Sequence, residues 1–165
     1  MNKRIKLVLV SLMIILAAFS FLGCKKDEPK VYTDSKAIES SKLLKDYETS
    51  KLPKDYTREM AEKKGDVVFG GFSDTINKDK FINFLNNLKS KKKDKVRITG
   101  ITTEGGAIIT DLISDGKTIT LVQDTTRDGF GIKGIRQYTA SEIDCDETLY
   151  YAVVSGERFD LGIRK

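Results

Sequence analysis

From Val96 onward the hydrophobic period of this chain changes to two, and two glycine-bearing turns punctuate the change. Residues 96–103 read as one strand, 107–113 as a second and 118–123 as a third. Between the last two, Ser114-Asp115-Gly116-Lys117 centres on Asp-Gly, the strongest short hairpin signal, because both turn positions tolerate positive φ. Three antiparallel strands in sequence make a meander, and a bare meander leaves one face in water. A cover lies just upstream. Phe81, Phe84, Leu85 and Leu88 fall at i, i+3, i+4 and i+7, one apolar stripe on a helix over 78–89 that Asn77 is placed to cap. Before it, Val67-Val68-Phe69 reads as a strand. A short helix over 56–64 stands behind Asp55 and stops at Gly65. Downstream, 149–154 and 159–163 read as further strands, while 135–148 shows no clear period. The expected fold class is α+β: an antiparallel β-meander with one main amphipathic helix and a shorter helix packed on one face.

The N-terminus has a different character. Lys3, Arg4 and Lys6 precede a run that is apolar from Leu7 to Leu22 except for Ser11 and Ser20, and no acidic residue occurs before Asp27. A basic segment followed by a short apolar one is the secretory signature. The run falls short of the roughly 20 apolar residues that span a membrane comfortably. It ends Phe21-Leu22-Gly23-Cys24, which resembles the bacterial lipobox, and Lys25-Lys26-Asp27-Glu28 then turns sharply polar. That resemblance implies cleavage before Cys24, a diacylglycerol thioether on its sulfur, and an N-terminus held at the outer face of the bacterial cytoplasmic membrane. Two acyl chains hold stably where one binds only marginally. The expected organisation is a signal peptide over 1–23, a lipid-anchored tether with a weak helix over 24–54, and a single α+β domain over 55–165.

The stretch from Val96 to Gly131, preceded by Gly65-Asp66-Val67-Val68 and the 78–89 helix, resembles a domain-of-unknown-function family found in small lipoproteins of Gram-positive bacteria. The likeness runs over residues 55–147. Its most specific parts are Arg97-Ile98, Thr103-Glu104-Gly105, the Asp115-Gly116 hairpin and the loop 124–128. It implies a single-domain architecture and an extracytoplasmic location, and it brings no catalytic residues.

Composition narrows the function classes. The formal net charge is +5, but three of the 29 basic residues precede Leu7. Without the first 23 residues, 26 Lys and Arg face 24 Asp and Glu, so nucleic-acid binding loses its compositional support. With Cys24 lipidated only Cys145 remains, so no intramolecular disulfide forms and the fold rests on its core. The chain has no histidine, which removes Ser-His-Asp and Cys-His nucleophile systems and histidine-based zinc sites.

Four constellations merit a structural test. Asp124, Thr126, Asp128 and Gly129 occupy positions 1, 3, 5 and 6 of a calcium loop, but position 12 is Ile135 where a glutamate is needed. The alternative is a turn whose Asp and Thr side chains bond the backbone, with Arg127 pairing a local carboxylate. Glu104, Asp111, Asp124 and Asp128 could converge as an acid–base pair of the kind glycoside hydrolysis requires. Lys89, Lys91, Lys92, Lys93 and Lys95 form the densest basic patch, suited to anionic lipid or wall polymer, or simply to solvent at a helix C-terminus. Tyr150 and Tyr151 are adjacent, so a strand would turn one inward and one outward. The leading expectation is a non-enzymatic binding or accessory module with no cofactor. Its partners would be membrane lipid through Cys24 and an envelope protein or wall polymer. The alternatives are an envelope hydrolase using carboxylates, or a protein inhibitor or immunity factor.

Overall fold

The structure, a computed structural model, describes residues 31–33, 48–70 and 74–165. Cys24, the signal segment and the weak helix expected before Lys51 lie outside these residues, apart from a 3-10 turn at Glu48–Lys51. The fold is α+β and dominated by strand. Eight strands form one sheet: β1 (Val31–Thr33), β2 (Val67–Gly70), β3 (Asp94–Ile101), β4 (Ala107–Ser114), β5 (Ile119–Asp124), β6 (Ile135–Cys145), β7 (Leu149–Val154) and β8 (Glu157–Arg164). Strands β2 to β8 pair in sequence order, and β1 joins β6. From β3 to β8 every pairing is antiparallel, whereas β2 runs parallel to β3, and β1 parallel to β6.

Two helices precede the meander. α1 (Arg58–Lys64) begins at Thr57, whose side chain accepts from the Met60 N–H. It is therefore capped two residues after Asp55, the residue expected to do so. It ends at Gly65, whose φ of 83° is the left-handed geometry glycine tolerates. α2 (Lys78–Lys89) has the expected span, but Asn77 makes no side-chain cap. Its Nδ2 donates instead to the Asp66 carbonyl at 2.8 Å, tying the helix start to the strand before it.

Alternation on β2 and β3 separates two cores. Val67, Val96 and Ile98 pack with Phe81 and Phe84 of α2, Leu112 of β4, Leu121 of β5, and Leu161 and Ile163 of β8. Val68 packs with Leu52, Tyr56, Ala61 of α1, Ala107 and Ile109. Consecutive residues of one strand face opposite ways, so the two helices serve different faces. The expectation that both pack on one face gives way to a sheet covered on each side. Leu52 and Thr49 are buried, so the folded body begins N-terminal to residue 55. The sheet also curls. The Phe69 ring of β2 lies against Gly100 of β3 and Gly162 of β8, which brings the first and last strands of the β2–β8 order together.

Register defects explain why 135–148 lacks a readable period. The pairing of β6 with β7 slips between Ala140 and Glu142, so Ala140 and Ile143 both belong to the larger core although an odd step of three positions divides them. The turn after β6 is held by Asp146, which accepts from the N–H groups of Thr148 and Leu149 and from Arg158. The Leu149 N–H first, then the Arg158 guanidinium, hold its carboxyl well below the usual range. Asp115 in the β4–β5 hairpin is lowered by the N–H groups of Thr118 and Lys117. A depressed folded pKa contributes stability that is fully present above the unfolded value and lost as pH falls through the folded one. The urea midpoint is therefore expected to decline on acidification below about pH 4. In Asp146→Asn that decline is shallower, and equal slopes in the two proteins would remove Asp146 as a cause.

Candidate functional site

Arg97 and Thr99 alternate with Val96 and Ile98, so they project from the face of the sheet opposite α2. On that face a polar network lies beneath the segment 49–56. Arg97 Nε and Nη2 donate to the two oxygens of Asp111, directly opposite on β4, at 2.7 and 2.8 Å. Asp111 is 0% exposed, and Lys95 Nζ stands 3.4 Å from its second oxygen. The hydrogen bonds to Asp111 raise the Arg97 pKa against the opposing effect of burial. This paired, fork-on-fork geometry is the arrangement a buried carboxylate needs.

One row along, Asp66 accepts from the Tyr56 hydroxyl at 2.9 Å and from Thr99 Oγ1 at 2.7 Å, both on the same oxygen. Burial first, then the bond to Asp66, pushes the Tyr56 phenol well above its ordinary value. Tyr56 is thus a neutral donor across the physiological range. A third pair closes the row. Asp124, 1% exposed, receives Arg127 Nη1 at 2.8 Å. Arg127 Nε and Nη2 donate to main chain far away in sequence: Thr49 O at 2.7 Å, Leu52 O at 3.0 Å and Pro53 O at 2.8 Å. The network is a clamp, and Arg127 fastens the N-terminal segment to the end of β5.

The structure sorts the four constellations. Asp111 and Asp124 do share a face, since Asp111 opposes Val122 and Asp124 opposes Ile109. Such diagonal neighbours sit about 7–8 Å apart, but each carboxylate is engaged by its own guanidinium. Glu104 is exposed in the β3–β4 turn, and Asp128 accepts from the Phe130 and Gly131 N–H groups at 3.2 and 3.0 Å. In the loop 124–129 the oxygens face hydrogen-bond donors: Asp124 also accepts from Thr126 N and Oγ1. That is the backbone-bonding turn, with Arg127 paired locally, and among the described residues no three Cys, Asp or Glu side chains gather in metal-ligating geometry. Of the lysines, Lys89, Lys91, Lys92 and Lys93 are exposed around the end of α2, while Lys95 leans on Asp111. Tyr150 turns inward, edge-on to Phe81 with centroids 5.0 Å apart, and Tyr151 turns outward beneath Arg158. Cys145 is half-buried at the end of β6, opposite Tyr150.

The pattern of the chain did not single out the loop between β5 and β6 as an apolar surface. Phe130 is 83% exposed and Ile132 74%, far above Met60 and Ile76, the other large apolar side chains exposed among the described residues. The loop is not loose. Thr125 N donates to Gly134 O at 2.9 Å, and Thr125 Oγ1 bridges, donating to Ile132 O and accepting from Gly134 N. Thr125 and Asp128 are turned into the base, and Phe130 and Ile132 are turned out. The signal was present in Gly129-Phe130-Gly131-Ile132-Lys133-Gly134, where apolar residues alternate with glycines outside any strand and have no core to enter.

Residues 64–150, just over half of the chain, match the model of a family described as a domain of unknown function, DUF4362. The matched part contains β2, α2 and the strands from β3 to β6, with Arg97, Asp111, Asp124 and Arg127 among them. No curated protein and no solved structure matches the chain.

Proposed function

The chain belongs to the DUF4362 family, and from that premise we propose that it is an extracytoplasmic lipoprotein, anchored through Cys24, whose body is a binding or accessory module. The observation that carries the anchor is the sequence from Lys3 to Cys24: a basic start, an apolar run and Gly23-Cys24 followed at once by Lys25-Lys26. The module reading is supported by where the acidic residues stand. Asp66, Asp111 and Asp124 are committed to Tyr56 and Thr99, Arg97, and Arg127, contacts that fasten one segment of the chain to another. A general acid or base needs a proton site within reach of a substrate, and these carboxylates are turned into the protein.

The partner of such a module is an envelope protein or wall polymer. The anchor is tested by replacing Cys24. In cells making the wild-type chain, the N-terminal peptide is expected to begin at Cys24 and carry the mass of a diacylglycerol. Cys24→Ser is expected to lose that modification and to leave an unprocessed N-terminus. A wild-type N-terminal peptide that starts elsewhere and bears no lipid would defeat the anchor. Crosslinking in intact cells, followed by capture of the solubilised protein, tests the module: a stoichiometric partner supports it, and none above background turns attention to polymer and small ligands.

A further inference from the structure

We infer that the tip of the β5–β6 loop, Phe130 with Ile132, is a second membrane contact, inserted into the headgroup and upper acyl region of the bilayer that holds the lipid anchor. The inference rests on the lipoprotein reading above, and three observations lead to it. The first is the tip itself, two apolar side chains displayed on a loop whose base is tied by Thr125 and Asp128. A loop built to remain in water has no reason to turn its hydroxyl and carboxylate inward and its phenyl ring outward.

The second is where the anchoring chain enters the fold. β1 lies parallel to β6 with Val31 opposite Ile135. Residues preceding Val31 therefore depart from the same end of β6 as the residues preceding Ile135, which are the loop. Cys24 stands seven residues before Val31, a distance of at most about 25 Å even in a fully extended chain. The anchor cannot reach farther than that from Val31, so the membrane lies within one tether length of the end of the sheet from which the loop departs.

The third is charge. Lys133 follows Ile132 directly and is exposed, so the apolar tip carries a cation suited to anionic headgroups. The dense lysine patch is not the part that meets the membrane. Lys91 lies against Gly116 of the β4–β5 hairpin, at the other end of β5 from the loop.

The chain has no tryptophan, so one introduced at position 130 reports alone. Full-length Phe130→Trp, purified as made in cells and reconstituted into phosphatidylglycerol–phosphatidylcholine vesicles, is expected to show blue-shifted emission and to lose most of its intensity when the acyl chains are brominated. Lys117→Trp, in the β4–β5 hairpin, is expected to emit as in water and to keep its intensity. Equal quenching at both positions would mean a body lying on the bilayer without a preferred end, which overturns the proposal. Water-like emission from Phe130→Trp, on a protein whose N-terminal peptide carries the diacylglycerol, overturns the loop contact and leaves the anchor standing. If that peptide carries no lipid, the anchor fails. Quenching of Phe130→Trp by added vesicles would then uphold the loop contact by itself, and no quenching would overturn it as well.

Discussion

Arg127→Ala is expected to destabilise the protein by about 3–5 kcal/mol, the cost of stranding one member of a buried ion pair. The reason lies in how many groups depend on one guanidinium. Its removal leaves the carboxylate of Asp124, 1% exposed, without its cation, takes the guanidinium donor from the carbonyls of Leu52 and Pro53, and leaves that of Thr49 with only the Leu52 N–H. Against the roughly 5–15 kcal/mol typical of a domain this is a large fraction. Arg127→Lys is expected to recover little, because one ammonium cannot present the planar fork that reaches three carbonyls and a carboxylate together. Urea unfolding gives the magnitude. Limited proteolysis gives the location, with cleavage between Lys51 and Lys54 accelerating more than cleavage in the meander. A loss below about 0.5 kcal/mol, the range of ordinary surface substitutions, would show that the segment is held by Leu52 and Tyr56 alone.

Gly162→Ala is expected to cost about 2–5 kcal/mol, from two separable causes. The backbone there has φ +72°, where a Cβ costs roughly 1–2 kcal/mol. The added Cβ would also fall on the Phe69 ring, and overpacking of this kind costs about 1–3 kcal/mol. The double variant Phe69→Leu with Gly162→Ala separates the two. Relative to Phe69→Leu, the second change is expected to cost only the backbone share. A double-mutant cycle with no coupling would mean that the contact between β2 and β8 carries no energy.

Much of the fold was written in local pattern. The stripe of Phe81, Phe84, Leu85 and Leu88 gave α2 its span, and Asp115-Gly116 gave the hairpin between β4 and β5. What local pattern could not carry was which face each helix would take. Val67 and Val68 are equally apolar, and only their placement between α1 and α2 tells that both faces of the sheet are covered. The bulge after Ala140 hid the longest strand, because it moves Ile143 off the alternation. The caps failed for a similar reason. Asn77 is a good cap by type, but the Asp66 carbonyl claimed its side chain first.

The polar clamp was half legible. The pairing of Arg127 with a nearby carboxylate follows from spacing, since Asp124 is three residues away. Its bonds to Thr49, Leu52 and Pro53 span more than 70 residues, and no window along the chain contains both ends. Tyr56, Asp66 and Thr99 were unremarkable one by one, and they acquire a role only through the parallel pairing of β2 with β3.

The sequential order of the strands from β2 to β8 bears on how this chain reaches its native state. Each hairpin from β3 onward closes a short loop, and closing short loops costs little entropy. Topologies rich in such local pairings fold quickly. Long closures are concentrated at a few places: residues 49–53 meeting Arg127, Phe69 meeting Gly162, and β1 meeting β6. A chain emerging N-terminus first can therefore lay down its strands in order of appearance. The segment 49–53 waits for the loop after β5 before it can be fastened, and Phe69 waits for a glycine in β8, the last strand of the sheet. The curl of the sheet is thus expected to be a late event, completed only after every hairpin between β3 and β8 has closed.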